Sequence, residues 1–281
     1  MTPTTVVLHG ATGTQGRAIL RELLAAGHHV RAVARHQRAA TDPAVQAVTA
    51  DLLDLDALTA AYAGAHAVVV QLPLNFAADA VRQADTVLAA LAKAGVPRAV
   101  FNTGSGLPPA TAIGVPFIDA RVHLAAGLPT AVTHASVVGP VGPYLENLVA
   151  PWSRSLIRDH GELRYPLPAE AAIGWTAAAD LGAVIAARTL AATPAAAGVV
   201  AGPALLTGPE LAAAIEAGIS RPVRWHTIDP AEYARMLAPY LGEAAAAGVA
   251  AAYTSPAPPP DPAVVTVGAT TASAWAAGQT F

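Results

Sequence analysis

Val6-Val7-Leu8-His9-Gly10-Ala11-Thr12-Gly13-Thr14-Gln15-Gly16, close to the amino terminus, is the stretch whose reading decides the fold. An apolar run enters three glycines spaced three apart, and an Ala/Leu-rich helical stretch, Arg17 to Ala26, follows at once. Each glycine meets a physical need. Gly10 permits a tight turn out of a strand, Gly13 lets backbone approach a pyrophosphate, and Gly16 lets the helix pack closely on the strand. Amides of the first helical turn then face the phosphates with the positive end of the helix dipole. Gly10, Thr12, Gly13, Thr14, Gln15 and Gly16 are therefore the expected dinucleotide cradle. A glycine triplet alone is a weak signal; its weight comes from the strand before it and the helix after it.

Outward from this turn the pattern alternates. Gly27 ends the first helix, His29 to Ala34 reads as a second strand and Val45 to Ala50 as a third. Asp54 is expected to cap a helix over Leu55 to Ala63, and Ala67 to Gln71 reads as a buried strand. Asn75 is expected to cap a long helix, Phe76 to Ala94, before a fifth strand at Ala99 to Asn102. A short helix over Phe117 to Ala126 and a sixth strand over Thr130 to Ala135 follow. Thr207-Gly208-Pro209-Glu210 and Asp229-Pro230-Ala231-Glu232 both read as capping boxes. This alternation predicts an α/β fold: a doubly wound parallel sheet with helices on both faces.

Composition narrows the function. Among 281 residues 54% are hydrophobic and 12% charged, so an ordered core is expected, and a formal charge of −3 with no basic cluster speaks against nucleic-acid binding. The absence of cysteine excludes disulfides and thiol nucleophiles, and nine histidines without ligand spacing predict no metal site. No run reaches the ~18 apolar residues of a membrane span, so a cytoplasmic protein without membrane contact is expected. One lysine, Lys93, stands against fifteen arginines, so a lysine-dependent mechanism must use that residue or be abandoned.

The end of the second strand sets cofactor choice. A carboxylate there would hold the ribose 2′-hydroxyl of NAD; this chain offers Arg35 and then Arg38, which suit the 2′-phosphate of NADP. Asp51 and Leu52 are placed at the adenine, with turn capping as the competing role for Asp51. Gln71, Leu72 and Pro73 would lie along the nicotinamide ribose, and Asn102, Thr103 and Gly104 belong to the same crevice at the sheet's carboxyl ends.

Gly10 to Gly16, the Arg35 strand end, Asp51-Leu52 and Ala94-Gly95-Val96-Pro97-Arg98 together resemble the NmrA-like branch of the atypical short-chain dehydrogenases/reductases. So do Gly127-Leu128-Pro129-Thr130, Tyr144-Leu145-Glu146-Asn147, the Trp175 to Gly182 segment and Leu206 to Leu211. The resemblance spans nearly the whole chain. It implies a Rossmann-type domain over 1–143, completed by part of 170–206, with a smaller α/β domain for substrate or partner over 144–281. It further implies NADP(H) binding, with either reductase activity or cofactor sensing.

Short-chain dehydrogenases carry Tyr-x-x-x-Lys after the fifth strand, where the tyrosine donates a proton. Here the matching window is Phe117-Ile118-Asp119-Ala120-Arg121, so the slots hold a phenyl ring and a guanidinium. Arg121 would hold the ribose as a cation but would not trade protons near neutral pH. Other candidates are Ser105, a weakly acidic hydroxyl, and His134, expected to leave the sixth strand near the nicotinamide. Tyr144, with Asn147, is expected to line the substrate entrance.

Three readings follow. The first is an NADPH-dependent reductase passing hydride to a small conjugated or carbonyl, quinone-like molecule. The second is a catalytically silent NADP sensor of the NmrA type, and the third a non-redox cyclase or epimerase on the same fold. A small-molecule substrate and a monomer or homodimer are expected.

Overall fold

The structure, a computed structural model, describes residues 4–35, 42–254 and 258–281. Its elements run β1 (Thr5–His9), α1 (Thr14–Ala25), β2 (His29–Ala34), β3 (Val45–Thr49), α2 (Leu55–Tyr62), β4 (Ala67–Gln71), α3 (Ala80–Lys93) and β5 (Arg98–Asn102). Next come α4 (Pro116–Ala131), β6 (His134–Pro140), α5 (Pro151–Ser155), β7 (Glu162–Tyr165), β8 (Ile173–Gly174), α6 (Ala178–Leu190) and β9 (Ala197–Ala201). The chain finishes with β10 (Leu205–Leu206), α7 (Gly208–Ile219), β11 (Arg224–Thr227), α8 (Pro230–Leu241), α9 (Glu243–Ala251), β12 (Val265–Val267) and α10 (Ala272–Ala277).

The main sheet has eight strands in the order β12-β9-β6-β5-β4-β1-β2-β3, and the pairings from β3 across to β6 are parallel. Read from its β3 edge the order is 3-2-1-4-5-6, so the winding reverses between β1 and β4. The crevice outside the carboxyl ends of those two strands is where such sheets take their ligands. The expected doubly wound α/β fold is thus present. Among the described residues no helix is long and apolar enough to cross a membrane, and no three His, Asp or Glu side chains gather as a metal site.

The chain divides into two compact units, Met1–Gly139 with Leu181–Val199, and Pro140–Asp180 with Val200–Phe281. In the first, β4 is buried from Ala67 to Val70 and β5 along its whole length, which explains their unbroken apolar runs. Phe101, Leu91, Leu124 and Leu128 pack there beside Val68 and Val70. In the second, Tyr165 sits at the centre of an aromatic cluster, with Trp175, Tyr233 and Tyr253 rings 4.9, 5.2 and 5.4 Å away. The Tyr165 hydroxyl shares a 2.7 Å hydrogen bond with Tyr253 and accepts one from Asn147 at 3.1 Å. Glu146 accepts from the Ala178 amide and from Trp275 Nε1, both at 3.0 Å, and so caps the start of α6 from a distance in sequence.

Four boundaries differ from the sequence expectation, each for a tertiary or local hydrogen-bonding reason. The first helix starts at Thr14 rather than Arg17, because Gly13 already serves as its N-cap. Asn75 does not open a helix: its carbonyl oxygen accepts from Ala77 N in a two-residue turn, its amide donates to Asp79, and α3 begins at Ala80. The helix expected to stop near Ala126 instead runs for 16 residues to Ala131, through Gly127 and Pro129. A Cβ at Gly127 would sit 2.4 Å from Leu88 Cδ1, so this glycine serves a close approach of α4 to α3. The longer helix displaces the sixth strand, which starts at His134. Thr207 and Glu210 form a complete capping box, whereas Asp229 makes no side-chain cap bond and Glu232 lies 3.6 Å from Arg164.

Candidate functional site: the crevice where the sheet reverses

β1 delivers the chain to Gly10, whose φ of +61° is a left-handed conformation that favours glycine. Gly13 N donates back to Gly10 O at 2.9 Å, closing the turn, and α1 starts one residue later with no side chain capping it. The amides of Thr14, Gln15 and Gly16 therefore lack intrahelical acceptors. Thr12, Gly13 and Thr14 are exposed, so the turn itself opens onto solvent at the positive end of the helix. Donor set and access both fit a phosphate. Gly16 is buried, and a Cβ there would lie 2.0 Å from Gly10 O; only glycine allows the helix so close to the turn.

Around this turn the crevice is tied together by side-chain amides. Gln71, ending β4, donates to the His9 carbonyl across the reversal point. Asn102, ending β5, donates to Gln71 Oε1 at 3.0 Å and to Gln15 Oε1 at 2.7 Å, and its own carbonyl oxygen accepts from Gly104 N at 3.1 Å. Gln15 and Gln71, expected with Asn102 as cofactor contacts, are thus both joined to it. Below them His9 is 2% exposed and shares a 2.7 Å hydrogen bond with Tyr62. Burial lowers its pKa to about 4, so the imidazole is neutral. Tyr62 drew no attention in the sequence, because nothing local marks a tyrosine ending α2 as the partner of a residue in β1.

The remaining expected cofactor residues fall as follows. Arg35 is exposed, directly after β2; Arg38 lies outside the described residues. Asp51 is exposed after β3, and one of its oxygens accepts from Leu53 N at 2.8 Å, the turn-capping role weighed for it; Leu52 is half-buried beside it. Leu72 is buried, and Pro73 is exposed. Thr103 is buried, and its hydroxyl donates to the Ser105 carbonyl. Gly104 has a φ of +69°. Ser105 is half-buried, and its hydroxyl makes only a 3.5 Å contact with Gly106 O, which leaves that oxygen available.

Arg121 does not project into open crevice. It is 5% exposed, and each of its nitrogens donates to a backbone carbonyl: Nε to Thr103 O at 2.8 Å, Nη1 to Phe117 O at 2.9 Å, Nη2 to Leu72 O at 3.3 Å. Its guanidinium carbon lies 3.5 Å from the centroid of the Phe117 ring, and Phe117 stacks on Phe76 at 4.9 Å. Burial lowers its pKa to about 9, which still leaves it charged at neutral pH. Phe76 was read from sequence only as the start of a helix; its role as the second ring of this stack is visible only in the fold.

One expected proton donor is displaced. His134 opens β6 instead of leaving it, and pairs in register with Arg98, the first residue of β5. It therefore lies at the amino ends of the strands, the opposite edge of the sheet from the glycine turn. Tyr144 is 9% exposed within the second unit, and its hydroxyl is buried with no hydrogen-bond partner among the described residues. Burial, and then the charge of Glu146, push that phenol well above the usual range, so it is a poor acid.

The family model described as the NmrA-like family matches residues 2–250. The chain belongs to the NmrA-like family. Among known proteins, it is similar to the NAD(P)H azoreductase of Xenophilus azovorans, with 30% identity over 233 residues that cover 79% of this chain and 77% of that one. Among solved structures, the Citrobacter sp. triphenylmethane reductase complexed with NADP(H) matches with a TM-score of 0.68 at 17% identity, over 88% of each chain. The NADPH-dependent quinone oxidoreductase from Escherichia coli complexed with NADPH matches with a TM-score of 0.64 at 21% identity, over 89% of each. Likeness at these two identities speaks for the fold alone. Within this NmrA-like chain, Phe117 and Arg121 stand one helical turn apart on α4.

Proposed function

We propose that this NmrA-like chain is an NADPH-dependent reductase that passes hydride to a small conjugated, quinone-like acceptor. The observation that carries the reading is the uncapped glycine turn at the β1/β4 reversal, with a guanidinium and no carboxylate where β2 ends. Bound there, NADPH would supply the hydride. The amides of the α1 turn bind its pyrophosphate, Arg35 pairs its 2′-phosphate with Arg38 nearby in sequence, and Asp51 and Leu52 flank its adenine.

The same crevice supports a conjugated acceptor better than a simple ketone. A ketone reduced by hydride becomes a localised alkoxide that needs a proton donor in the transition state. This unit holds a phenyl ring in the tyrosine slot, and His134 is at the far edge of the sheet. A quinone-like anion is delocalised and takes its proton afterwards from water, with the Ser105 hydroxyl as a hydrogen-bond donor to it. The azoreductase, the triphenylmethane reductase and the quinone oxidoreductase are each named for a conjugated acceptor, in line with this reading.

The test is a fluorescence titration with NADPH and NADH, followed by an acceptor screen on the same sample. NADPH should bind more tightly, and Arg35→Ala should remove most of the difference, about ten- to a hundredfold, while NADH affinity stays nearly unchanged. Quinone and dye acceptors should turn over with no pH limb in kcat near 6.5. Equal affinities for the two cofactors in the wild type would remove the NADP assignment. Tight NADPH binding without turnover of any acceptor would replace the reductase by the NADP sensor.

A further inference from the structure

We propose that Arg121 is a positioning residue that sets the spacing of the β4 and β5 exits through a planar fork of backbone hydrogen bonds, and not a cation that touches the cofactor. The inference rests on the reading that the nicotinamide half of NADPH lies over those exits.

Three observations carry it. First, the acceptors are the carbonyls of Leu72, just past β4, and Thr103, just past β5, with Phe117 on α4 itself. One side chain thus joins three segments. Second, three of its five N–H donors are given to these carbonyls and the side chain is only 5% exposed, so what it chiefly serves is backbone rather than the open crevice. Third, the guanidinium carbon lies over the Phe117 ring, 3.5 Å from its centroid, and Phe117 stacks on Phe76, so the group is held by packing as well as by hydrogen bonds. No ion pair among the described residues involves Arg121, so the three carbonyl dipoles are what compensates its charge. A lysine has the same charge but a single nitrogen, and it cannot reproduce donors that diverge in one plane. On this account the guanidinium does not hold the ribose as a cation; it fixes the local frame in which a cofactor would lie.

The experiment compares Arg121→Lys and Arg121→Gln with the wild type by equilibrium titration, using NADPH and, separately, adenosine 2′,5′-bisphosphate, which lacks the nicotinamide half. Both variants should lose about ten- to a hundredfold in NADPH affinity, the size expected for one or two lost charge-assisted hydrogen bonds, and keep their affinity for the bisphosphate. Recovery of NADPH affinity by lysine alone would show that the charge matters and not the fork, and would overturn the proposal. So would loss of bisphosphate binding in both variants, because the fork does not touch the glycine turn. A wild type that binds neither ligand overturns the cofactor reading itself, and this inference with it.

Discussion

Gly13→Val is expected to abolish NADPH binding in a protein that still folds, whereas Gly16→Ala, a far smaller change, is expected to unfold the first unit. Both glycines border the same turn, but a side chain meets different surroundings at each. At Gly13 the backbone is extended, with φ of −76°, and a Cβ would lie 3.3 Å from Gly10 O, a tight contact that a shift of a few tenths of an ångström relieves. The branched methyls then occupy the space of the pyrophosphate. At Gly16 a Cβ would lie 2.0 Å from Gly10 O, 2.7 Å from Gly10 C and 2.9 Å from Ala11 Cα, all of it backbone. Relief requires moving α1 off the sheet, at a cost of about 3 kcal/mol or more. Thermal denaturation together with NADPH titration separates the two. A wild-type Tm for Gly16→Ala would show that the turn is softer than drawn, and normal NADPH binding by Gly13→Val would move the phosphate site elsewhere.

The second large effect is a loss of stability in acid that originates at His9. Burial lowers its folded pKa to about 4, while the unfolded chain keeps the ordinary value near 6.5. Between those values the unfolded chain binds the proton and the folded chain does not, so stability falls as pH drops from about 6.5 to 4 and is fully present above that window. By pH 4.5 the loss from this one group is about 2–3 kcal/mol. The double variant His9→Leu with Tyr62→Phe removes the titration and leaves neither partner of the hydrogen bond orphaned. Urea denaturation at pH 7 and 4.5 should show it losing less stability in acid than the wild type by about that amount. An equal loss in both proteins would place the acid sensitivity elsewhere.

The parts of this fold that depend on local chemistry could be read from the chain alone. The glycine turn, the capping box at Thr207 and the buried run of β4 each declare themselves within a few residues. What was misplaced depends on contacts distant in sequence. Gly127 reads as a helix stop, yet it is the point where α4 meets Leu88, so the helix runs on. That one extension pushes the start of β6 to His134 and carries the histidine from the expected exit of its strand to the entrance. Arg121 was found through the slot it occupies, but its carbonyl partners lie 49 and 18 residues away in sequence, and no spacing rule reveals them. The stacking of Phe76 on Phe117 joins positions 41 residues apart and is equally invisible to local pattern.

The route of the chain through the first unit also has a consequence during synthesis. Residues up to Gly139 leave that unit incomplete, because Leu181–Val199 belongs to it and emerges only after Pro140–Asp180 has been made. Until then the outer edge of β6 presents unpaired backbone, including the Val137 amide that will donate to Ala196 O. Ser136 likewise awaits the Ala195 carbonyl, and Arg98 awaits that of Ala192. At a few to about twenty residues per second the ribosome keeps this edge open for seconds, long enough for strands of neighbouring nascent chains to pair with it. Fragments ending between residues 140 and 180 should therefore aggregate, while the 281-residue chain closes its own edge.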